Sequence, residues 1–145
     1  MNLMKRYAAA VGLVLLGTGC EFKANFNYSS TGTEGDTQSV VKRLNDDASV
    51  EVSRADNAVP PKKFAFKCST GQAAIQDATD AAKREGAELH AQLSALMASA
   101  TTRNLDDLTK KMEPLGAQMS MNRKTVSALE EVGRVCRGEI RVELT

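Results

Sequence analysis

Phe64-Ala65-Phe66-Lys67-Cys68-Ser69-Thr70-Gly71-Gln72 is where this chain changes its period. Up to Cys68, apolar side chains fall at every second position, the repeat of a strand with one buried face. From Ser69 onward apolar or small residues recur at Ile75, Ala78, Ala82, Leu89, Leu93, Leu96 and Ala100, the stripe of an amphipathic helix. Ser69-Thr70-Gly71-Gln72 fits a capping box, with the Ser69 hydroxyl accepting from the third helical amide and Gln72 reaching back. A strand that runs directly into a long helix predicts an α+β protein.

Toward the C-terminus a second helix start appears at Asn104, with Asp106 and Asp107 suited to the positive end of a helix dipole. Leu105, Leu108, Met112, Leu115, Met119, Val126, Leu129 and Cys136 then keep a spacing of three and four, with Asn122 and Gly133 as weak members. The register passes through Pro114 without slipping. A continuous helix kinked at Pro114 explains this better than two helices and a loop, which would usually shift the phase. Two helices of similar length joined by a short turn run antiparallel, so residues 69–137 read as a helical hairpin. Its base brings together Cys68 and Cys136. Gly138 is placed to end the second helix in a left-handed conformation. Ile140, Val142 and Leu144 then alternate with Arg141 and Glu143, predicting a C-terminal strand over 139–145 that can pair with the strand of Phe64 and Phe66. Val132 and Val135 lie off the main stripe and offer a second apolar face, against which a small antiparallel sheet would pack.

Toward the N-terminus the chain is polar and turn-rich. Phe22, Ala24, Phe26 and Tyr28 alternate with polar residues as in a strand, and Ser29-Ser30-Thr31-Gly32-Thr33-Glu34-Gly35 reads as a loop. Asp36 to Asn45, around Val40, Val41 and Leu44, suits a brief helix or a strand. Val50 and Val52 suggest another short strand, and Val59-Pro60-Pro61 stops regular structure.

The first nineteen residues follow other rules. Met1-Asn2-Leu3-Met4-Lys5-Arg6 is basic, Ala8 to Leu16 is apolar, and Gly17-Thr18-Gly19-Cys20 is a small-residue exit. Such a segment reads as an export signal, too short to span a hydrocarbon core of about 30 Å. Its ending resembles the lipobox of bacterial lipoproteins, with Leu16 one place earlier than that family's usual leucine and Gly17 in its place. The resemblance implies cleavage before Cys20, acyl chains such as palmitate on its sulfur and new amino group, and a membrane-tethered mature protein. Residues 1–19 are then the signal peptide and 20–145 a single periplasmic domain, with strands and polar loops over 20–68. Glu21, where lipoproteins retained at the inner membrane commonly carry Asp, implies the periplasmic face of the outer membrane; the inner membrane is the alternative. With Cys20 lipidated in an oxidising compartment, a Cys68–Cys136 disulfide is the natural reading. Buried free thiols and a metal site are the alternatives.

Removal of Lys5 and Arg6 leaves 17 basic side chains against 18 acidic ones, a charge of −1. Mixed signs near neutrality argue against nucleic acid and against an electrostatic hold on anionic lipid. The anchor must then come from the acyl chains. The chain has no Trp and few aromatics, so the core should be aliphatic.

Residues for chemistry are sparse. His90 is the only histidine, and no second one completes a zinc triad or a nucleophile–base pair. Asp106 with Asp107, and Glu130 with Glu131, are sequence neighbours whose side chains diverge around a helix. The loop of Gly32 and Gly35 lacks the Lys and Ser/Thr of a phosphate loop. Arg134, Arg137 and Arg141 suit a helix C-terminus and pairing with Glu139 and Glu143. The expectation is therefore a non-catalytic, lipid-anchored interaction protein with no cofactor or metal. It acts as a scaffold or assembly factor on a protein partner of the cell envelope, through the face bearing Leu93, Leu96 and Met97, with homo-oligomers also compatible. The alternatives are a periplasmic holdase chaperone, similar in its hairpin on a β base, and a secretion pilotin, similar in its anchor and cysteine pair; an enzyme is the weakest reading.

Overall fold

The computed structural model describes residues 27–139. Cys20 and its signal peptide, the stretch from Phe22 to Phe26, and the strand expected over Ile140 to Leu144 with Arg141 and Glu143 lie outside the described residues. Within them the chain forms four strands and then two helices: β1 Asn27–Glu34, β2 Thr37–Leu44, β3 Asp47–Arg54, β4 Lys62–Lys67, α1 Gln72–Ala98 and α2 Leu105–Cys136. The class is α+β, as the change of period at Cys68 implies.

The strands form an antiparallel meander in the order β1-β2-β3-β4. Its first two turns are tight, and Gly35 and Asn45 take positive φ of 59° and 58° there, a conformation that Gly and Asn tolerate best, whereas residues 55–61 join β3 to β4. The region from Ser29 to Gly35 is therefore not a loop. All of it but Gly35 belongs to β1, and the ambiguous stretch after Asp36 is strand β2. Ser and Thr suffice in β1 because it is an edge strand held by main-chain bonds to β2, with no need of a fully buried face.

Register places Ser30, Val41, Val50 and Phe64 in one row across the sheet, with Gly32, Ser39, Val52 and Lys62 in the next. On this inner face Thr37, Ser39, Val41, Ala48, Val50 and Val52 are buried, whereas Gln38, Lys42, Leu44, Asp47 and Glu51 on the other face are exposed. α2 covers the inner face. Its Met121, Ala128, Leu129 and Val132 join Val41, Val50 and Val52 in one cluster, completed by Ile75 and Ala82 of α1. Val132 and Val135 are both fully buried, so the second apolar face is occupied as the sequence implies. Burying each such side chain stabilises the fold by about 1.5–3 kcal/mol relative to leaving it in water.

The helices run in opposite directions: Ile75 lies against Gly133, and Ala82 against Asn122. Asn122, a weak member of the stripe by sequence, is buried and donates from Nδ2 to the Ala82 carbonyl at 2.7 Å. Gly86 makes this possible, because a Cβ there would collide with Asn122 Oδ1. The bounds of α2 enclose Pro114.

The capping box at Ser69 does not form. Gly71 is the N-cap of α1, without a side-chain bond. Ser69 is instead held by the β2–β3 turn, its N–H and hydroxyl donating to Asp46 at 2.8 and 2.7 Å. At the far end of α2 the expected stop does form. Gly138 takes φ 75°, with its N–H on Val135 and that of Glu139 on Arg134, at 3.1 and 2.9 Å.

Candidate functional site

Three places hold the residues on which a function can be built: the base of the helix pair, the opposite end of the sheet, and the helix ends beyond the sheet. At the base, Cys68 and Cys136 are joined as a disulfide, with an S–S distance of 2.08 Å and Cα atoms 4.9 Å apart. Cys68 follows β4 directly and Cys136 is the last residue of α2, so the bond ties sheet to helix. The Cys68 N–H donates to the Asp46 carbonyl at 2.7 Å. The hydrogen bond from the Ser69 hydroxyl, foremost, holds the Asp46 carboxyl below its usual pKa. Arg43 reaches from β2 to the Val135 carbonyl at 3.0 Å, capping the negative end of α2, and burial lowers its pKa. Tyr28 of β1 donates to Glu131 at 2.7 Å; burial first, then that bond, raises the phenol's pKa.

At the opposite end Arg54 of β3 forms a two-pronged pair with Asp56 at 2.6 and 2.9 Å and lies 3.8 Å from Asp36. Its third nitrogen donates to Thr37 Oγ1 at 3.1 Å, and Thr37 shares a 2.9 Å hydrogen bond with Ser120 of α2. The Arg54 bond, followed by one from the Ala58 N–H at 3.0 Å, lowers the Asp56 carboxyl from 3.8 to about 2. Asp36, Arg54, Asp56 and Ala58 border a cleft of about 580 Å³ whose other wall is Glu113, Pro114, Gly116 and Ala117. Two carboxylates neutralise Arg54, so the cleft has no cation to offer an anionic ligand. Nothing in the one-dimensional pattern announced this cluster, because its members come from two turns and three elements, β2, β3 and α2.

Comparison with protein-family models, with curated proteins and with solved structures finds no match for the chain. The residues themselves must carry the reading.

The structure separates the candidate carboxylate pairs. Glu130 faces Lys83 at 3.3 Å while Glu131 accepts from Tyr28. Asp107 pairs with Lys111 within α2 at 3.3 Å, and Asp106 is exposed. His90 is an exposed residue of α1. Gly32 sits in β1 and Gly35 in its turn. Arg137 pairs with Glu139 at 2.6 Å, as their spacing implies. Among the described residues no group of three or more His, Cys, Asp and Glu is placed to hold a metal ion, and no helix is long and apolar enough to cross a membrane.

The third place is the pair of helix ends. β4 starts beside Glu85, which pairs with Lys62 at 3.1 Å, and the far end of β2 meets Ser120. α1 after Glu85 and α2 before Glu113 thus extend past the sheet. There Leu89, Leu108 and Leu115 are buried, Leu93, Leu96 and Met112 half-buried. Met97 and Leu105 are 58% and 54% exposed. Asn104 does not cap α2 through its side chain but ties the connection, its Oδ1 accepting from the Thr101 N–H and hydroxyl and its Nδ2 donating to the Ser99 carbonyl. Of the three residues read as a partner face, Met97 is thus the open one; Leu93 and Leu96 are partly used between the helices.

Proposed function

We propose that this chain is a non-catalytic lipoprotein, tethered through acylated Cys20 to the periplasmic face of the outer membrane, that holds a protein partner at the overhanging end of its helical hairpin. The observation that carries the partner reading is the exposure of Met97 and Leu105 at an end tied by the Asn104 hydrogen bonds. Two large apolar side chains kept in water on an ordered element are a small surface for a hydrophobic contact. The compartment reading is supported by the Cys68–Cys136 bond, which leaves Cys20 as the one cysteine outside it. A bend at Pro114 belongs to the same picture, since the missing N–H leaves the Lys110 carbonyl without its helical partner.

Met97 is exposed, which separates recruitment from folding. The paired substitution Met97→Asp with Leu105→Asp should abolish co-purification of the partner from solubilised envelopes while leaving thermal unfolding unchanged. The same co-purifying species at the same yield from wild type and variant would refute the reading. A secretin subunit as that species would single out the pilotin alternative, and protection of an aggregating unfolded client, lost in the variant, would single out the holdase.

A further inference from the structure

Six residues separate Cys20 from β1, and the seven Cα–Cα steps between Cys20 and Asn27 span at most about 25 Å. Register fixes which end of the molecule that tether leaves. Asn27 lies opposite Leu44, Leu44 opposite Asp47, and Asp47 opposite Lys67. The start of β1, the β2–β3 turn, the end of β4 and, through Cys68, the end of α2 therefore share one end. Met97 and Leu105 are at the other, the length of a 27-residue helix or about 40 Å away. A tether of about 25 Å cannot put that far tip into the leaflet that holds the Cys20 acyl chains, unless the molecule lies on its side.

The near end carries an apolar contact of its own. Leu44, 60% exposed, is the most exposed large hydrophobic side chain among the described residues. With Ala65 it lines a shallow depression of about 440 Å³ on the outer face of the sheet, flanked by Lys42 and Lys67, the latter paired with Asp47. A leucine flanked by long lysines suits a lipid interface: the apolar group enters the acyl boundary while the ammonium groups stay at the phosphates. One leucine binds a bilayer weakly in isolation. Tethering makes the contact intramolecular, and a weak contact then suffices to orient the domain.

We infer that the end of the sheet bearing Leu44, Lys42 and Lys67 rests on the phospholipid headgroups, and that the helices carry Met97 and Leu105 away from the bilayer. This rests on the reading of Cys20 as lipidated. Because the chain has no Trp, Leu44→Trp, Met97→Trp and Lys63→Trp each introduce a single reporter at an exposed position. Lys63 marks the outer face near the opposite end of the sheet. Each full lipoprotein, purified from membranes, is checked by intact mass and reconstituted in phosphatidylethanolamine–phosphatidylglycerol vesicles with and without brominated acyl chains. The expected result is a blue shift and bromine-dependent loss of emission at position 44, with no loss at 97 or 63. Quenching at 63 means the sheet lies face down, and quenching at 97 means the tip is inserted; either overturns the inference. A blue shift at 44 without bromine quenching means that another protein surface, such as a second copy, covers it, which also overturns it, as does an unshifted and unquenched reporter there. A mass lacking lipid on Cys20 overturns the anchor and the inference together, so the two failures are distinguishable.

Discussion

Replacing Gly86 by Ala tests whether the packing of the two helices, and not helix propensity, governs α1. In an exposed helix interior the change Gly→Ala stabilises by about 1 kcal/mol. Here the new methyl would collide with Asn122 Oδ1, and Asn122 is buried with its Nδ2 on the Ala82 carbonyl. Displacing that amide leaves a buried polar group unsatisfied, at a cost of about 1–3 kcal/mol, and forfeits a hydrogen bond worth about 1 kcal/mol. Gly86→Ala should thus destabilise the oxidised protein by about 2 kcal/mol once the propensity gain is subtracted. In an Asn122→Ala background the obstacle is gone, and the same substitution should stabilise by about 1 kcal/mol. The coupling across the cycle is therefore about 3 kcal/mol, at the upper end for residues in direct contact. Urea unfolding followed by circular dichroism measures all four proteins, provided the slope m is unchanged. If Gly86→Ala raises the midpoint in the wild-type background, or if the two substitutions add, the close approach of the helices at this point is refuted.

Two further outcomes follow from the two ends of the sheet. Reducing Cys68–Cys136, or replacing both cysteines by Ser, should cost about 4 kcal/mol in the chain-entropy model for a closed loop of this length, seen as a drop in the urea midpoint; two reactive thiols in the untreated native protein would contradict the bond. Asp56 should titrate in the folded protein near its value of about 2, so its bond to Arg54 favours folding above pH 3.8 and is lost as pH falls toward 2; a carboxyl chemical-shift titration by NMR should show this, with Arg54→Gln moving the midpoint back up, and an unmoved midpoint would rule out Arg54 as the cause.

Local pattern was a good guide wherever one element's own periodicity carried the information. The turn from period two to period three-and-four at Cys68, the stripe through Ile75, Ala82 and Leu89, the second face at Val132 and Val135, and the stop at Gly138 all read directly, because each is a repeat or a backbone conformation that a few adjacent residues impose. Even the nearness of Cys68 to Cys136 followed from two such repeats, since antiparallel helices of similar length bring their outer ends together, although the repeats alone left free thiols and a metal site open where the structure has a disulfide.

What a single sequence could not disclose depends on partners distant along the chain. The polar stretch from Ser29 to Glu34 is a strand only because β2 lies beside it to complete its main-chain hydrogen bonds. Ser69 has the composition of a cap, yet the competing carboxylate of Asp46, twenty-three residues earlier, takes its donors. Gly86 reads as a defect until Asn122 is brought against it from the other helix. The candidate surfaces obey the same division. That Leu93, Leu96 and Met97 share an apolar stretch is a property of the sequence, but which of them meets water was decided by where α2 lies; that Leu44 is the last apolar residue before the polar Asn45-Asp46-Asp47 is local, but its place beside Lys67 at the end from which the tether leaves comes from the register of all four strands. Periodicity determines which side of an element is apolar, and only tertiary packing determines how much of that side is already used.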